Sequence, residues 1–84
     1  LRVLGRSVGV EKIYVRGRSA RLSFREEVVP KMAALEGPLR RQKTSSEVRR
    51  VRPLSVRFEQ EGSEPIMETL TVALAALRTA GAAA

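Results

Sequence analysis

The chain contains no histidine, cysteine, aspartate, asparagine or tryptophan among its 84 residues. Histidine is the commonest general acid or base in enzymes, so its absence removes the usual carrier of proton transfer. Zinc sites need cysteine or histidine, and calcium sites usually use aspartate. The lack of cysteine also excludes disulfides and agrees with a cytoplasmic protein. We therefore predict a non-enzymatic chain with no catalytic residues, no cofactor, no metal site and a cytoplasmic location.

Long apolar runs are missing as well. No stretch approaches the roughly 20 apolar residues that a membrane-spanning helix needs. Arg2 and Arg6 interrupt the only region where a signal peptide would have its apolar core. The composition, with 43% hydrophobic and 30% charged residues, is that of a globular protein. We predict one small domain over residues 1–84, with no membrane partner.

Residues 9–24 alternate apolar and polar side chains on both sides of Gly17-Arg18, which predicts a β-hairpin. The apolar residues predicted to face the core are Ile13, Val15, Ala20, Leu22 and Phe24. A second pair of strands is predicted around Pro53, over residues 48–52 and 54–59. Its inward residues are predicted to be Leu54, Val56 and Phe58. Because Val48 and Val51 are three apart, we expect a register irregularity or a strand limited to residues 49–52.

Three helical segments are predicted. Residues 1–8 have the pattern of a helix end, so we expect the chain to be a fragment of a larger protein. Pro30 predicts the start of a short helix that Gly37-Pro38 ends, burying Met32, Leu35 and Leu39. The last helix is predicted to begin at a Ser63 N-cap and to end at Gly81, with a frayed tail over residues 80–84. Its predicted core stripe is Ile66, Leu70, Ala73, Leu74 and Leu77.

The predicted order is a helix end followed by ββα-ββα. Such units build an α+β fold, an antiparallel sheet with helices packed on one face. Residues 20–24 and 54–58 have the same alternating pattern and both end in phenylalanine. We therefore predict an internal repeat of the ββα unit.

Basic residues outnumber acidic ones by 16 to 9, which gives a net charge of +7. They concentrate in residues 1–25 and 40–57, so the sheet is basic and the final helix is not. The candidate partner-docking residues on the outer face or rim of the sheet are Arg16, Arg18, Arg21, Arg49, Arg52 and Arg57. Arginine suits carboxylates of a protein and phosphates of a nucleic acid alike, and composition does not separate the two. A sequence-reading RNA platform needs stacking aromatics, and only Tyr14 is predicted on that face.

The order of short phrases resembles a known family. These phrases are Leu4-Gly5, Gly9-Val10-Glu11-Lys12-Ile13, the Val15-Arg16-Gly17 turn, Val29-Pro30, Pro53 before Leu54-Ser55-Val56-Arg57-Phe58, and a last helix with Leu70, Leu74 and Leu77. Together they resemble the C-terminal domain of bacterial transcription-repair coupling factor. The resemblance extends from Leu4 to Leu77 and rests on order and spacing.

The resemblance implies a non-catalytic domain of an ATP-dependent DNA translocase that couples transcription to nucleotide excision repair. In that family the domain packs on the UvrB-like module of the same polypeptide and masks its UvrA-binding surface. The implied partners are therefore that module and, indirectly, UvrA and RNA polymerase. The alternative from the residues is a stand-alone basic α+β module that binds nucleic acid without reading its sequence.

Overall fold

The computed structural model describes residues 8–41, 46–60 and 65–83. The predicted Ser63 N-cap lies outside these ranges. So does the predicted helix end over residues 1–8, apart from Val8, which lies in the turn before the first strand. The described elements, in chain order, are β1 (Val10–Arg16), β2 (Ser19–Phe24), α1 (Val29–Arg40), β3 (Ser46–Arg52), β4 (Ser55–Gln60) and α2 (Ile66–Ala83).

The four strands form one antiparallel sheet in the order β1-β2-β4-β3. Both hairpins therefore place their second strand in the centre and their first strand at an edge. The predicted α+β fold with its ββα-ββα order is confirmed. The register irregularity predicted in β3 is also present, between Arg50 and Arg52, although the strand is not limited to residues 49–52.

The core lies between the sheet and the two helices. The buried side chains come from alternate positions of the central strands and from one face of each helix. The sheet contributes Val10, Ala20, Leu22, Phe24, Val56 and Phe58; the helices contribute Leu35, Leu39, Leu70, Ala73, Leu74 and Leu77. The predicted core stripe of α2 is confirmed except at its first position, Ile66, which is only partly buried.

The first hairpin turns at Gly17-Arg18, as predicted. Arg16 pairs with Ser19, so the loop has two residues. Gly17 has a φ of +60°, whereas Arg18 has a negative φ. A positive φ at the first loop residue alone is the type II′ pattern, which requires glycine there and matches the twist of the paired strands.

Two residues that alternation places in the core are exposed. Val15 is 46% exposed because it lies near the end of the edge strand β1, while α1 lies over β3 and α2 over β2. Leu54 is 42% exposed because it occupies the turn after Pro53 and is not part of β4. The backbone of Leu54 still joins β4 to β2, because its carbonyl accepts a 2.8 Å hydrogen bond from the Phe24 amide.

Two predicted helix ends are wrong. α1 continues through Gly37-Pro38 to Arg40, which brings Leu39 into the core at 0% exposure. The burial of Leu39 offsets the hydrogen bond that Pro38 does not donate. α2 likewise continues through Gly81 to Ala83. Gly81 does not have the positive φ of a glycine that ends a helix, and alanines follow it.

The two segments on which the predicted repeat rests pair with each other. Ala20 pairs with Phe58, Leu22 with Val56, and the Phe24 amide bonds to the Leu54 carbonyl. Residues 20–24 thus lie antiparallel to residues 54–58, with Leu22 opposite Val56 at the midpoint. The pairing of β2 with β4 is therefore symmetric about its midpoint, whereas the turn of the second hairpin, at Pro53-Leu54, lies two residues beyond the position equivalent to Gly17-Arg18.

A buried polar pair joins the sheet to α2, and alternation of apolar and polar residues does not predict it. The Thr69 hydroxyl donates a 2.8 Å hydrogen bond to the Gln60 side-chain oxygen. Thr69 is 0% and Gln60 3% exposed. Because a buried acceptor is expensive to leave unpaired, this bond defines how α2 sits against the end of β4.

Replacing Pro38 with alanine should stabilise the protein. The change restores one backbone donor and removes the ring clash inside α1, while it returns some entropy to the unfolded chain. We expect the free energy of unfolding to rise by about 1–2 kcal/mol in urea denaturation followed by circular dichroism. The matched control is Pro30→Ala, since Pro30 lies in the first turn where proline is tolerated. A gain from Pro30→Ala as large as that from Pro38→Ala would contradict this reasoning.

Replacing Thr69 with valine should lower the free energy of unfolding by about 1–2 kcal/mol, because the hydroxyl donor to Gln60 is lost in a buried place. Thr71→Val is the control on the same helix. Thr71 is exposed and its hydroxyl bonds to the Met67 carbonyl at 2.9 Å, so we expect a change within about 0.5 kcal/mol. Equal effects of the two substitutions in urea denaturation would show that the Gln60–Thr69 bond is not important.

Candidate docking surface

Neither helix of the described residues lies on one face of the sheet, and we call this face the open face. Successive side chains of a strand point to opposite faces, so the open face carries the residues that alternate with the core. The residues assigned to it by register are Lys12, Tyr14, Arg16, Ser19, Arg21, Ser23, Glu47, Arg49, Arg52, Ser55, Arg57 and Glu59. The acidic residues on this list are Glu47 and Glu59, which the register places opposite each other, and its other charged residues are basic.

The strand register aligns three arginines across the sheet. Arg21 of β2 pairs with Arg57 of β4, and Arg57 pairs with Arg49 of β3. We call these three residues the arginine row. Tyr14 of β1 pairs with Arg21 and extends the row to the fourth strand. Three arginines are thus direct neighbours although they are far apart in the sequence.

Two contacts within the open face partly compensate this charge. The Arg21 guanidinium lies 4.4 Å from the centre of the Tyr14 ring, a cation–π distance. The Arg57 Nη2 atom lies 2.9 Å from the Glu59 Oε1 atom. Both side chains of that ion pair are well exposed, 40% and 54% respectively. Like charges directly opposite each other on neighbouring strands still weaken a sheet. The arginine row is therefore a poor choice for stability alone.

The structure brings most of the predicted docking residues together. Arg21, Arg49 and Arg57 form the arginine row itself. Arg16 lies opposite Ser19 on one side of the row, and Arg52 lies opposite Ser55 on the other side. These two arginines occupy opposite corners of the open face, on the two edge strands.

Arg18 is the exception, because it lies in the β1–β2 turn at the rim of the sheet. Its carbonyl accepts a 2.9 Å hydrogen bond from the Gln60 amide, which ties the turn to the end of β4. Two charged members of the open face, Lys12 and Glu59, have described side chains and were not among the predicted docking residues. Lys12 has the same alternation as Tyr14 and Arg16, so the pattern contained the signal. The contact of Glu59 with Arg57 follows from their positions two apart on one strand, 57 and 59.

The described residues contain neither a cluster of possible metal ligands nor a helix that could cross a bilayer. Over the ranges 8–41, 46–60 and 65–83, no group of three or more metal-ligating side chains comes together. Within the same ranges, neither helix is long and apolar enough to cross a bilayer. The open face presents hydrogen-bond donors and positive charge, which suit an anionic partner.

Comparison with protein-family models, with curated proteins and with solved structures found no match. The resemblance to the coupling-factor domain therefore remains a prediction that rests on the residues quoted for it. The open face is defined by the strand register and does not depend on that resemblance.

Replacing Glu59 with glutamine should weaken the fold mainly at low salt. The change removes the counter-charge of Arg57 while Arg21 and Arg49 stay beside it. We expect the free energy of unfolding to fall by about 0.5 kcal/mol in a low-salt buffer, and the loss to disappear near 1 M salt.

Urea denaturation at the two salt concentrations measures this effect. Glu11→Gln is the control, because Glu11 is an exposed strand carboxylate with no ion pair among the described residues. A loss from Glu59→Gln that is the same at both salt concentrations would mean that charge compensation is not its cause.

Proposed function

We propose that this chain is a non-catalytic, cytoplasmic interaction domain that docks on another protein surface through its open face. The observation that carries the proposal is the arginine row, which places three like charges side by side on a face that neither of the two described helices covers. Since this arrangement weakens the sheet, a partner that supplies carboxylates is its simplest physical reason.

The family resemblance suggests a more specific function, which we propose as well. The chain acts as the C-terminal regulatory domain of a transcription-repair coupling factor, an ATP-dependent DNA translocase. It docks on the UvrB-like module of the same polypeptide and masks the surface that binds UvrA. The enzymatic steps, and the contact with RNA polymerase, belong to other domains of that protein.

A polar docking face suits a regulatory contact. Interfaces between domains of one chain are modest in area and more polar than permanent interfaces, so they open and close. Masking requires two states whose free energies differ by only a few kcal/mol, so that engagement of the translocase can shift the balance between them. Arginine–carboxylate contacts give such an interface orientation and dependence on salt.

Non-specific binding of nucleic acid is the second candidate, and the arginine row favours it too. Arginines at a basic surface bind phosphates with an affinity that falls steeply with salt. Two features count against this candidate. Glu59 lies on the same face and repels phosphates. The only aromatic ring assigned to the open face, Tyr14, already stacks with Arg21 and is less available to a base.

Binding of the chain to a separately produced UvrB-like module tests the proposed function. We expect saturable binding in a titration calorimeter, and we expect UvrA to compete with it. Arg21→Glu and Arg57→Glu should each weaken the binding at least about tenfold, because each change places a like charge against the partner's carboxylates. Arg78→Glu is the matched control, since Arg78 is an exposed arginine of α2 in the helical layer.

Circular dichroism of each variant confirms that it is folded. No binding of the module, together with salt-sensitive binding of single-stranded DNA that Arg21→Glu abolishes, would replace the docking proposal with the nucleic-acid candidate. Equal weakening by Arg78→Glu would show that net charge alone, and not the open face, is responsible.

A further inference from the structure

We propose that the arginine row receives one acidic α-helix of the partner, which lies across the strands of the open face. This inference rests on the proposed function and adds the chemistry and the shape of the surface that is bound. The partner helix carries three carboxylates on one side, one for each of Arg21, Arg57 and Arg49.

The spacing of the row fits a helix. Neighbouring strands lie about 4.8 Å apart, so Arg21, Arg57 and Arg49 span about 10 Å across three strands. Residues i, i+4 and i+7 of an α-helix lie on one side at about 0, 6 and 10.5 Å along its axis. Each carboxylate of such a helix therefore comes opposite one guanidinium, which permits bidentate contacts.

The neighbours of the row leave room for a helix. On β2 both flanking positions of the open face are serines, Ser19 and Ser23, and on β4 Ser55 lies opposite Ser23. These short side chains border Arg21 and Arg57, so the sheet surface beside the arginines is low. Beside the row, the serine pair Ser23 and Ser55 leaves space over the two central strands, and the longer side chains of Lys12 and Arg52 lie at the two ends of this pair, on the edge strands.

The ends and flanks of the row add specificity. Tyr14 continues the row onto β1 and is 43% exposed, so a partner helix one turn longer meets an aromatic ring at that end. An apolar residue suits this position. Glu59 lies on one flank of the row, and the register places Glu47 opposite it, so the side of the helix that faces this flank carries neutral or basic residues. The acids are therefore confined to one stripe of the helix.

A single-stranded nucleic acid fits the same surface less well. Its phosphates meet the arginines, but sheet platforms that bind single strands also stack the bases on aromatic side chains. Only Tyr14 is assigned to the open face as an aromatic, and its ring lies 4.4 Å from the Arg21 guanidinium. A rigid row of carboxylates needs no such partner.

Two synthetic peptides of about 20 residues test the inference, a length at which alanine-rich sequences are helical. The facing peptide has glutamates at i, i+4 and i+7. The dispersed peptide has the same composition with the glutamates spread around the helix. Binding of each labelled peptide to the 84-residue chain is measured by fluorescence anisotropy in low salt. A labelled oligothymidine of about 15 nucleotides is the nucleic-acid probe, since it covers at least one typical site.

We expect the facing peptide to bind at least about tenfold more tightly than the dispersed peptide, because only its carboxylates meet the row together. Arg21→Glu and Arg57→Glu should each abolish the difference, and Arg78→Glu should leave it unchanged. Equal binding of both peptides would overturn the inference. The inference would also be overturned if oligothymidine bound more tightly than the facing peptide and if Arg21→Glu and Arg57→Glu each abolished that binding.

The UvrB-like module, titrated in the same buffer, separates the two proposals. If the module binds and the facing peptide does not, the docking function stands and the acidic-helix inference is wrong. If the facing peptide binds and the module does not, the inference stands and the partner named under the proposed function is wrong.

Discussion

The pairing of β2 with β4 is the constraint on which the rest of the structure depends. It joins the two hairpins, with Leu22 opposite Val56 on the core side and Arg21 opposite Arg57 on the open side. The Phe24 amide bonds to Leu54 at one end of this ladder and the Gln60 amide bonds to Arg18 at the other. A slip by one residue would move the apolar set to solvent and the arginines into the core. Burial of the core therefore also determines which side chains meet on the open face.

Alternation in the sequence predicted the two hairpins, the core positions of the central strands and the fold class. It failed where burial is decided by neighbours in space. Val15 follows the core pattern but lies at the edge of the sheet, and Leu54 follows it but lies in a turn. The residue types at Gly37-Pro38 and at Gly81 are those of helix ends, yet both helices continue. Local preference was outweighed by the burial of Leu39 and by the alanines after Gly81.

The open face was predictable as a set of residues but not as an arrangement. Alternation assigns Arg21 and Arg57 to the outer face of their own strands. That they are direct neighbours, with Arg49 beside them, depends on the pairing of β4 with both β2 and β3. No local pattern in the sequence predicts such long-range strand pairing. The contact between Thr69 and Gln60 was missed for the same reason, since it depends on where α2 crosses the end of β4.

The arginine row places like charges on three neighbouring strands, and Tyr14 and Glu59 contact two of its members. If its role were a general positive charge, arginines scattered over the surface would serve equally well without placing like charges opposite each other. Alignment matters only for a partner whose own charges are aligned and rigid. A flexible polyanion adapts to any basic surface, whereas a helix presents carboxylates at fixed intervals of about 5–6 Å. The register of the strands is therefore a stronger argument for a structured protein partner than the net charge is for a nucleic acid.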